Sequence, residues 1–303
     1  MSPDRVPSLL RPVRSPFRDR RHRIFEEPKP DVLESFRKLL NRHSRVYLVV
    51  SPPRCSSTAF ARVFWEQPSV RYYCHEPFET TYYLDQSLTE VRRKLESPLD
   101  LTNIRKVEVD AKADALVIKE MPYQAGPNFP LLAAIAHQPL VFLMRDPRLS
   151  IASRMRTKRE VGDNPRFPKI ESGWELWRRQ IEWCETRGVD YMLADSTDFR
   201  DQPEAIFSQV FKRLQLPFSR DMLEWRACPE VELDNLGGRH RHLYGAVLAS
   251  TGIRPETSAT PLLEDFPRTD GWREHVERCL AIYREMRDAA ARIVPVAVEV
   301  PVA

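Results

Sequence analysis

Val46-Tyr47-Leu48-Val49-Val50-Ser51-Pro52-Pro53-Arg54-Cys55-Ser56-Ser57-Thr58 is the stretch whose reading decides the fold. Its first five residues are apolar and valine-rich with no polar alternation, the pattern of a strand buried on both faces. The run stops at Ser51-Pro52-Pro53, and the spacing of Phe60, Val63 and Phe64 predicts a helix over Ser56–Glu66. The first amides of a helix have no internal partners and carry the positive end of its dipole, so a strand running straight into a helix leaves an anion cradle. Ser56, Ser57 and Thr58 add hydroxyl donors and Arg54 a fixed positive charge, the chemistry that holds a phosphate or sulfate. An ordinary N-cap uses the same residue types. The Gly-x4-Gly-Lys-Ser/Thr pattern of a nucleoside-triphosphate loop is absent.

Working outward, further short apolar runs predict strands at Val70–Cys74, Ala115–Ile118, Leu140–Met144 and Tyr191–Leu193. Helices are expected at Asp31–Asn41, Glu171–Gly188, Pro203–Leu214 and Trp272–Ile293, with at most a short one at Asp221–Arg226. Trp174, Trp177, Ile181 and Cys184 fall on one face of the second of these, a stripe read as core. The alternation predicts an α/β protein with a mostly parallel sheet flanked by helices, whose ligands bind beyond the carboxyl ends of the strands. One domain over 31–293 is expected, between a poorly ordered Pro/Arg-rich extension over 1–30 and a tail over 294–303 that reads as an edge strand or loose arm. The extension has no apolar run, so it reads as neither a secretory leader nor a membrane anchor.

A second strand-to-helix turn lies at Leu143-Met144-Arg145-Asp146-Pro147-Arg148, with Pro147 suited to a first helical turn. Arg145 at the strand end and Ser153 two turns into the helix can reach one phosphate over the helix start. A structural arginine capping the sheet is the plain alternative.

Together the two turns resemble the cytosolic and Golgi sulfotransferase superfamily, which has a P-loop-like architecture and uses 3′-phosphoadenosine 5′-phosphosulfate (PAPS) as sulfuryl donor. The resemblance places the donor's 5′-phosphosulfate on Pro53-Arg54-Cys55-Ser56-Ser57-Thr58 and its 3′-phosphate on Arg145 and Ser153, whose Arg-x7-Ser spacing is intact. Val189–Phe218, with Asp195 after a strand and Leu214-Gln215-Leu216-Pro217 closing a helix, is also similar to the family. Several positions depart from it. Ser56 replaces the usual loop glycine, Cys55 the usual serine and Arg54 the frequent lysine. Ala59 stands where cytosolic members often stack a tryptophan on the adenine. The glycine-lysine signature near the family's C-terminus is not recognisable, and Gly237-Gly238-Arg239-His240-Arg241 is the expected substitute, with Arg239 and Arg241 as a basic lid over the 3′-phosphate.

Sulfuryl transfer needs a general base beside the acceptor and cations beside the sulfuryl oxygens and leaving phosphate. His75-Glu76-Pro77-Phe78 follows the second strand, which is expected next to the first anion loop in the sheet order, and its Glu-Pro pair is similar to that of Golgi-type and bacterial members. The histidine of cytosolic members is missing from Ile118-Lys119-Glu120-Met121-Pro122. Glu76 is the first candidate base, His75 the second and Glu120 the third, with Lys119 placed to contact the transferring group. A strand-end salt bridge is the plain reading of Glu76, and a partly buried, hydrogen-bonded histidine that of His75.

At 303 residues and 42% hydrophobic content the chain can bury a large core, and its net charge of +4 does not argue for nucleic acid or membrane partners. The five cysteines are scattered without zinc or redox spacing, which fits a reduced, cytoplasmic protein and no metal. The expected acceptor is a small molecule or carbohydrate, for which Tyr72, Tyr73, Phe78, Tyr82 and Tyr83 offer apolar walls. Two alternatives stay open: an ATP-dependent phosphotransferase with Asp146 as a magnesium ligand, and a non-catalytic nucleotide-binding domain.

Overall fold

In the computed structural model the described residues are 25, 27–108 and 110–295. Most of the extension expected over 1–30 and of the tail over 294–303 lies outside them.

Six strands form one sheet: β1 (Val46–Val50), β2 (Val70–His75), β3 (Leu99–Asp100), β4 (Ala115–Glu120), β5 (Leu140–Met144) and β6 (Tyr191–Asp195). Their spatial order is β3-β2-β4-β1-β5-β6. Every pairing is parallel except that of β2 with β3, so the mostly parallel sheet is as expected. One expectation is corrected. β2 is not beside β1; β4 lies between them, because β1 pairs with β4 and β5.

The pleat sends alternate residues of each strand into two cores. Leu48, Val50, Ile118, Phe142 and Met144 face one core, which is completed by helices such as Trp174–Arg187 and Trp272–Arg287. Val49, Val117, Val141 and Leu143 face the other, built with Phe60 and Phe64 of the helix Ser57–Trp65 and Phe207 and Phe211 of Pro203–Arg213. Both faces are dry, which is why these strands read as unbroken apolar runs. The tryptophan stripe at Trp174 and Trp177 is core, as expected.

The last long helix ends at Arg287 rather than reaching Ile293. The chain then turns back along β6, where Leu193 donates its amide to Ala291 at 3.0 Å and accepts from that of Ile293 at 2.8 Å. This contact covers part of the sheet's β6 edge, which would otherwise offer unpaired backbone groups.

Candidate active site

The parallel register brings the carboxyl ends of the central strands to one level. Val50 is opposite Glu120, His75 opposite Lys119, and Met144 opposite Asp195. The residues that follow each strand therefore converge on one side of the sheet.

After β1, the chain reverses through Arg54 (φ +63°) and Ser56 (φ +58°) before the helix Ser57–Trp65 begins. Both are non-glycine residues in the left-handed region, a conformation that surrounding structure must hold in place. Gly173, itself at φ +80°, packs there so closely that a Cβ would lie 3.2 Å from Pro53 Cδ and 3.3 Å from Pro52 Cα. The turn is thus braced from outside and aims the free amides at the helix start into the cavity.

The second turn is joined to the first. Arg145 Nη1 donates to the Arg54 carbonyl at 2.8 Å, and Arg54 Nε donates to Ser153 Oγ at 3.2 Å. Asp146 caps the following helix, accepting from the Arg148 amide at 2.9 Å, and pairs with the Arg148 guanidinium. Burial and the charges of Arg145, Arg154 and Arg156 all lower the pKa of Arg54. Arg54, Arg145 and Arg154 therefore share a poorly hydrated space, with the exposed Arg156 at its rim, a positive field that favours a multivalent anion.

The third component is a buried ion pair. Lys119 Nζ at the end of β4 meets Glu76 Oε1 just beyond β2, and both side chains are 1% exposed. Gln124 Nε2 donates to Glu76 Oε2 at 2.9 Å, and the Tyr244 hydroxyl lies 3.5 Å from Oε1. Burial alone works to raise the Glu76 carboxyl, but the charges of Lys119 and His75 outweigh it and hold the carboxyl well below its usual range. His75 is buried, which lowers its pKa against the pull of Glu76. Its Nδ1 lies 2.6 Å from the Tyr73 hydroxyl and its Nε2 3.2 Å from Glu76 Oε1.

A cavity of about 1150 Å³ unites these components. Of the residues expected at the site, Arg54, Ser56, Ser57, Thr58 and Ala59 line it from the first turn. Arg145, Ser153, Glu76, Lys119 and Arg239 line it as well. Four others do not. Cys55 is fully buried, with burial pushing its thiol up to about 12, so only its backbone belongs to the turn. His75 sits behind Glu76. Glu120 accepts the amides of Phe78 at 2.8 Å and Met121 at 2.7 Å, and burial with the charge of Glu76 pushes it up to about 8. Arg241 is exposed, so of the expected basic lid only Arg239 faces the cavity.

Sequence reasoning missed several lining residues. Gln124 and Tyr244 hold Glu76. Tyr123 and Arg154 form part of the wall with Phe167, whose ring centroid lies 4.5 Å beneath the Arg154 guanidinium. Arg200 and Glu256 reach it from a short helix after β6 and from a loop. A cation just after the strand next to β5 is a usable signal for Arg200; nothing near Glu256 in the sequence signals its place. Among the described residues, Glu79, Asp234 and His240 bring three possible metal ligands within 4.8 Å of one another. They are engaged with one another and with backbone: Glu79 Oε1 meets His240 Nδ1 at 2.6 Å, and Asp234 Oδ1 accepts the Leu236 amide at 2.8 Å.

No helix among the described residues is long and apolar enough to cross a membrane. The profile of the sulfotransferase domain family matches residues 46–290, well over half of the chain. Among solved structures, the chain is similar to the sulfotransferase domain from the curacin biosynthetic pathway, at 17% identity and a TM-score of 0.49, over 80% of this chain and 99% of that one. It is also similar to the sulfotransferase domain from the Synechococcus PCC 7002 olefin synthase, at 14% identity and a TM-score of 0.48, over 86% and 98%. No curated protein matches. The family match spans both anion turns and the Glu76–Lys119 pair, and on that match the chain belongs to the sulfotransferase domain family and is a sulfotransferase enzyme.

Proposed function

We propose that the chain moves the sulfuryl group of PAPS to a hydroxyl or amine of a small-molecule or carbohydrate acceptor. The observation that carries this reading is the meeting, in one cavity, of two stitched anion turns and a buried carboxylate–ammonium pair. Residues 53–58 hold the 5′-phosphosulfate, with Arg54 and the helix amides as donors. Arg145 and Ser153 hold the 3′-phosphate, a group ATP lacks. The adenine lies near Ala59, and aliphatic side chains of the cavity lining such as Val247 and Ile253 take the place of a stacking aromatic.

The acceptor oxygen attacks sulfur in line, the bond from sulfur to the bridging phosphate oxygen breaks, and adenosine 3′,5′-bisphosphate leaves. The acceptor proton passes to Glu76. In the resting site Lys119 holds Glu76 ionised, which keeps the base unprotonated but weak. As charge grows on the sulfuryl oxygens and the leaving phosphate, the Lys119 ammonium is drawn to them, and Glu76 gains basicity as its partner leaves. His75 and Gln124 keep the carboxylate aimed. Tyr82, Tyr83, Tyr123 and Phe167 form the acceptor's apolar wall.

Arginine and lysine side chains supply the cations and helix amides the donors, so the proposed reaction needs no metal. Asp146, the magnesium ligand of a phosphotransferase reading, caps a helix and pairs with Arg148. A cytoplasmic setting belongs to the proposal and rests on five buried cysteines with free thiols. Incubation with ³⁵S-labelled PAPS and a panel of hydroxylated and aminated acceptors tests the function. Label transferred to an acceptor with release of adenosine 3′,5′-bisphosphate supports it. Transfer only of phosphate, from ATP with magnesium, overturns it.

A further inference from the structure

Glu256 holds the place of an anion inside the cavity. Its Oε2 accepts from Arg145 Nη2 and, at 3.0 Å, from Arg200 Nη1, while Oε1 accepts the Ser258 amide at 3.0 Å. The Arg145 and Glu256 side chains are 7% and 8% exposed. The Arg200 guanidinium is set by two backbone carbonyls, Arg254 at 2.7 Å from Nε and Pro255 at 2.9 Å from Nη2. Its Nη1 also lies 3.5 Å from Ser56 Oγ, so Arg200 spans the space between the two anion turns.

The charge count is unbalanced. One carboxylate faces two guanidinium groups, and burial, together with the charge of Arg145, lowers the pKa of Arg200 against the pull of Glu256. A phosphate monoester carries nearly two negative charges and three acceptor oxygens, and so satisfies a pair of arginine forks better than a carboxylate does. The loop that carries Glu256 has no regular secondary structure over residues 253–262. Its anchors near the carboxylate are polar, among them the Glu256 amide 3.3 Å from Asp201 Oδ1.

Building on the proposed function, we infer that Arg200 is the second arginine of the 3′-phosphate subsite and that Glu256 is its built-in occupant, displaced when the nucleotide binds. Displacement lowers the apparent affinity for the donor by the share of molecules in which Glu256 is seated. The penalty falls only on a ligand with a 3′-phosphate: one without it has nothing to offer the two arginines in exchange for the carboxylate and binds with Glu256 still seated. Arg200 thereby couples recognition of the 3′-phosphate to movement of residues 254–258, because the same guanidinium holds both Glu256 and the carbonyls beside it.

The test is calorimetric titration of the full chain with adenosine 3′,5′-bisphosphate and with adenosine 5′-monophosphate, run on wild type, Glu256→Gln, Glu256→Ala and Arg200→Ala. Thermal unfolding checks that each variant is folded. Both Glu256 variants are expected to bind the bisphosphate about fivefold tighter or more, a modest coupling between a seated side chain and a ligand. Their affinity for the monophosphate stays within about twofold. Arg200→Ala should weaken the bisphosphate by at least about tenfold and the monophosphate far less. Unchanged bisphosphate affinity in both Glu256 variants, or equal losses for both nucleotides in Arg200→Ala, overturns the inference while wild type still prefers the bisphosphate. Absence of that preference in wild type overturns the reading of the subsite and the inference with it.

Discussion

Lys119 and Glu76 close the ends of neighbouring strands against each other: Lys119 is the residue paired with His75 across β4 and β2, and its ammonium meets the carboxylate one residue further on. In the proposed mechanism this contact stores the base and the cation of one reaction step as a pair. The register of two parallel strands fixes their separation before any ligand arrives.

Glu76→Gln should therefore lower the catalytic rate by about 10²–10⁴-fold, the usual contribution of general-base help, with nucleotide affinity nearly intact. His75→Ala should do less, since His75 only orients the carboxylate. Steady-state kinetics with adenosine 3′,5′-bisphosphate binding on both variants decides it. Near-normal turnover in Glu76→Gln alongside a dead His75→Ala reverses the assignment.

Removing Lys119 leaves Glu76 as an unpaired buried charge. Lys119→Ala should destabilise the fold by ~3–5 kcal/mol in denaturant unfolding, where an exposed pair gives a fraction of that. The pH dependence has a defined sign. The folded-state pKa of Glu76 lies below its ordinary 4.5, so the stabilisation is present above that value and is lost as pH falls through the folded one. Wild type should lose stability more steeply than Glu76→Gln on acidification below the ordinary carboxylate range. Parallel curves contradict the pairing.

The two arginines of the anion turns should fail differently. Arg145→Ala should weaken adenosine 3′,5′-bisphosphate by ~2–5 kcal/mol, the scale of truncating one partner of a buried charge contact. Arg54→Ala should reduce turnover more than 3′-phosphate binding, because its charge acts where the bond to sulfur breaks. Identical profiles for the two variants count against separate subsites.

Gly173→Ala probes the brace behind the first turn. At φ +80° and 3.2 Å from Pro53 Cδ, an added methyl is strained and also presses on the turn. A stability loss of about 1–3 kcal/mol is expected, with weaker nucleotide binding. A fully stable variant with normal affinity shows that the brace is dispensable.

Chelation should leave activity unchanged, since side chains and amides supply the positive charge. Activity abolished by chelator and restored by magnesium contradicts this and favours phosphoryl transfer.

The central strands were legible because Val46–Val50 and Leu140–Met144 are apolar throughout, buried on both faces and flanked by turn residues. β2 and β4 run further than their apolar residues suggest, since their last residues, His75, Lys119 and Glu120, are polar groups buried against Tyr73, Glu76 and the Phe78 and Met121 amides. A strand of two residues, Leu99–Asp100, leaves no periodic trace. Sheet order escaped as well, because pairing depends on contacts far apart in sequence. The two strand-to-helix turns are legible as local patterns, whereas the companions of Arg145 are not. The sequence pattern suggests a basic lid at Arg239 and Arg241, whereas the cation beside Arg145 in the structure is Arg200, brought there by the pairing of β5 with β6.

The central claim is that the paired turns hold a nucleotide carrying both a 5′- and a 3′-phosphate. Titration calorimetry of the wild-type chain with adenosine 3′,5′-bisphosphate, set against ATP with magnesium, tests it most directly. Tight, metal-independent binding of the bisphosphate and weak binding of ATP are expected. Tight, magnesium-dependent binding of ATP, with the bisphosphate bound no better than adenosine 5′-monophosphate, contradicts it.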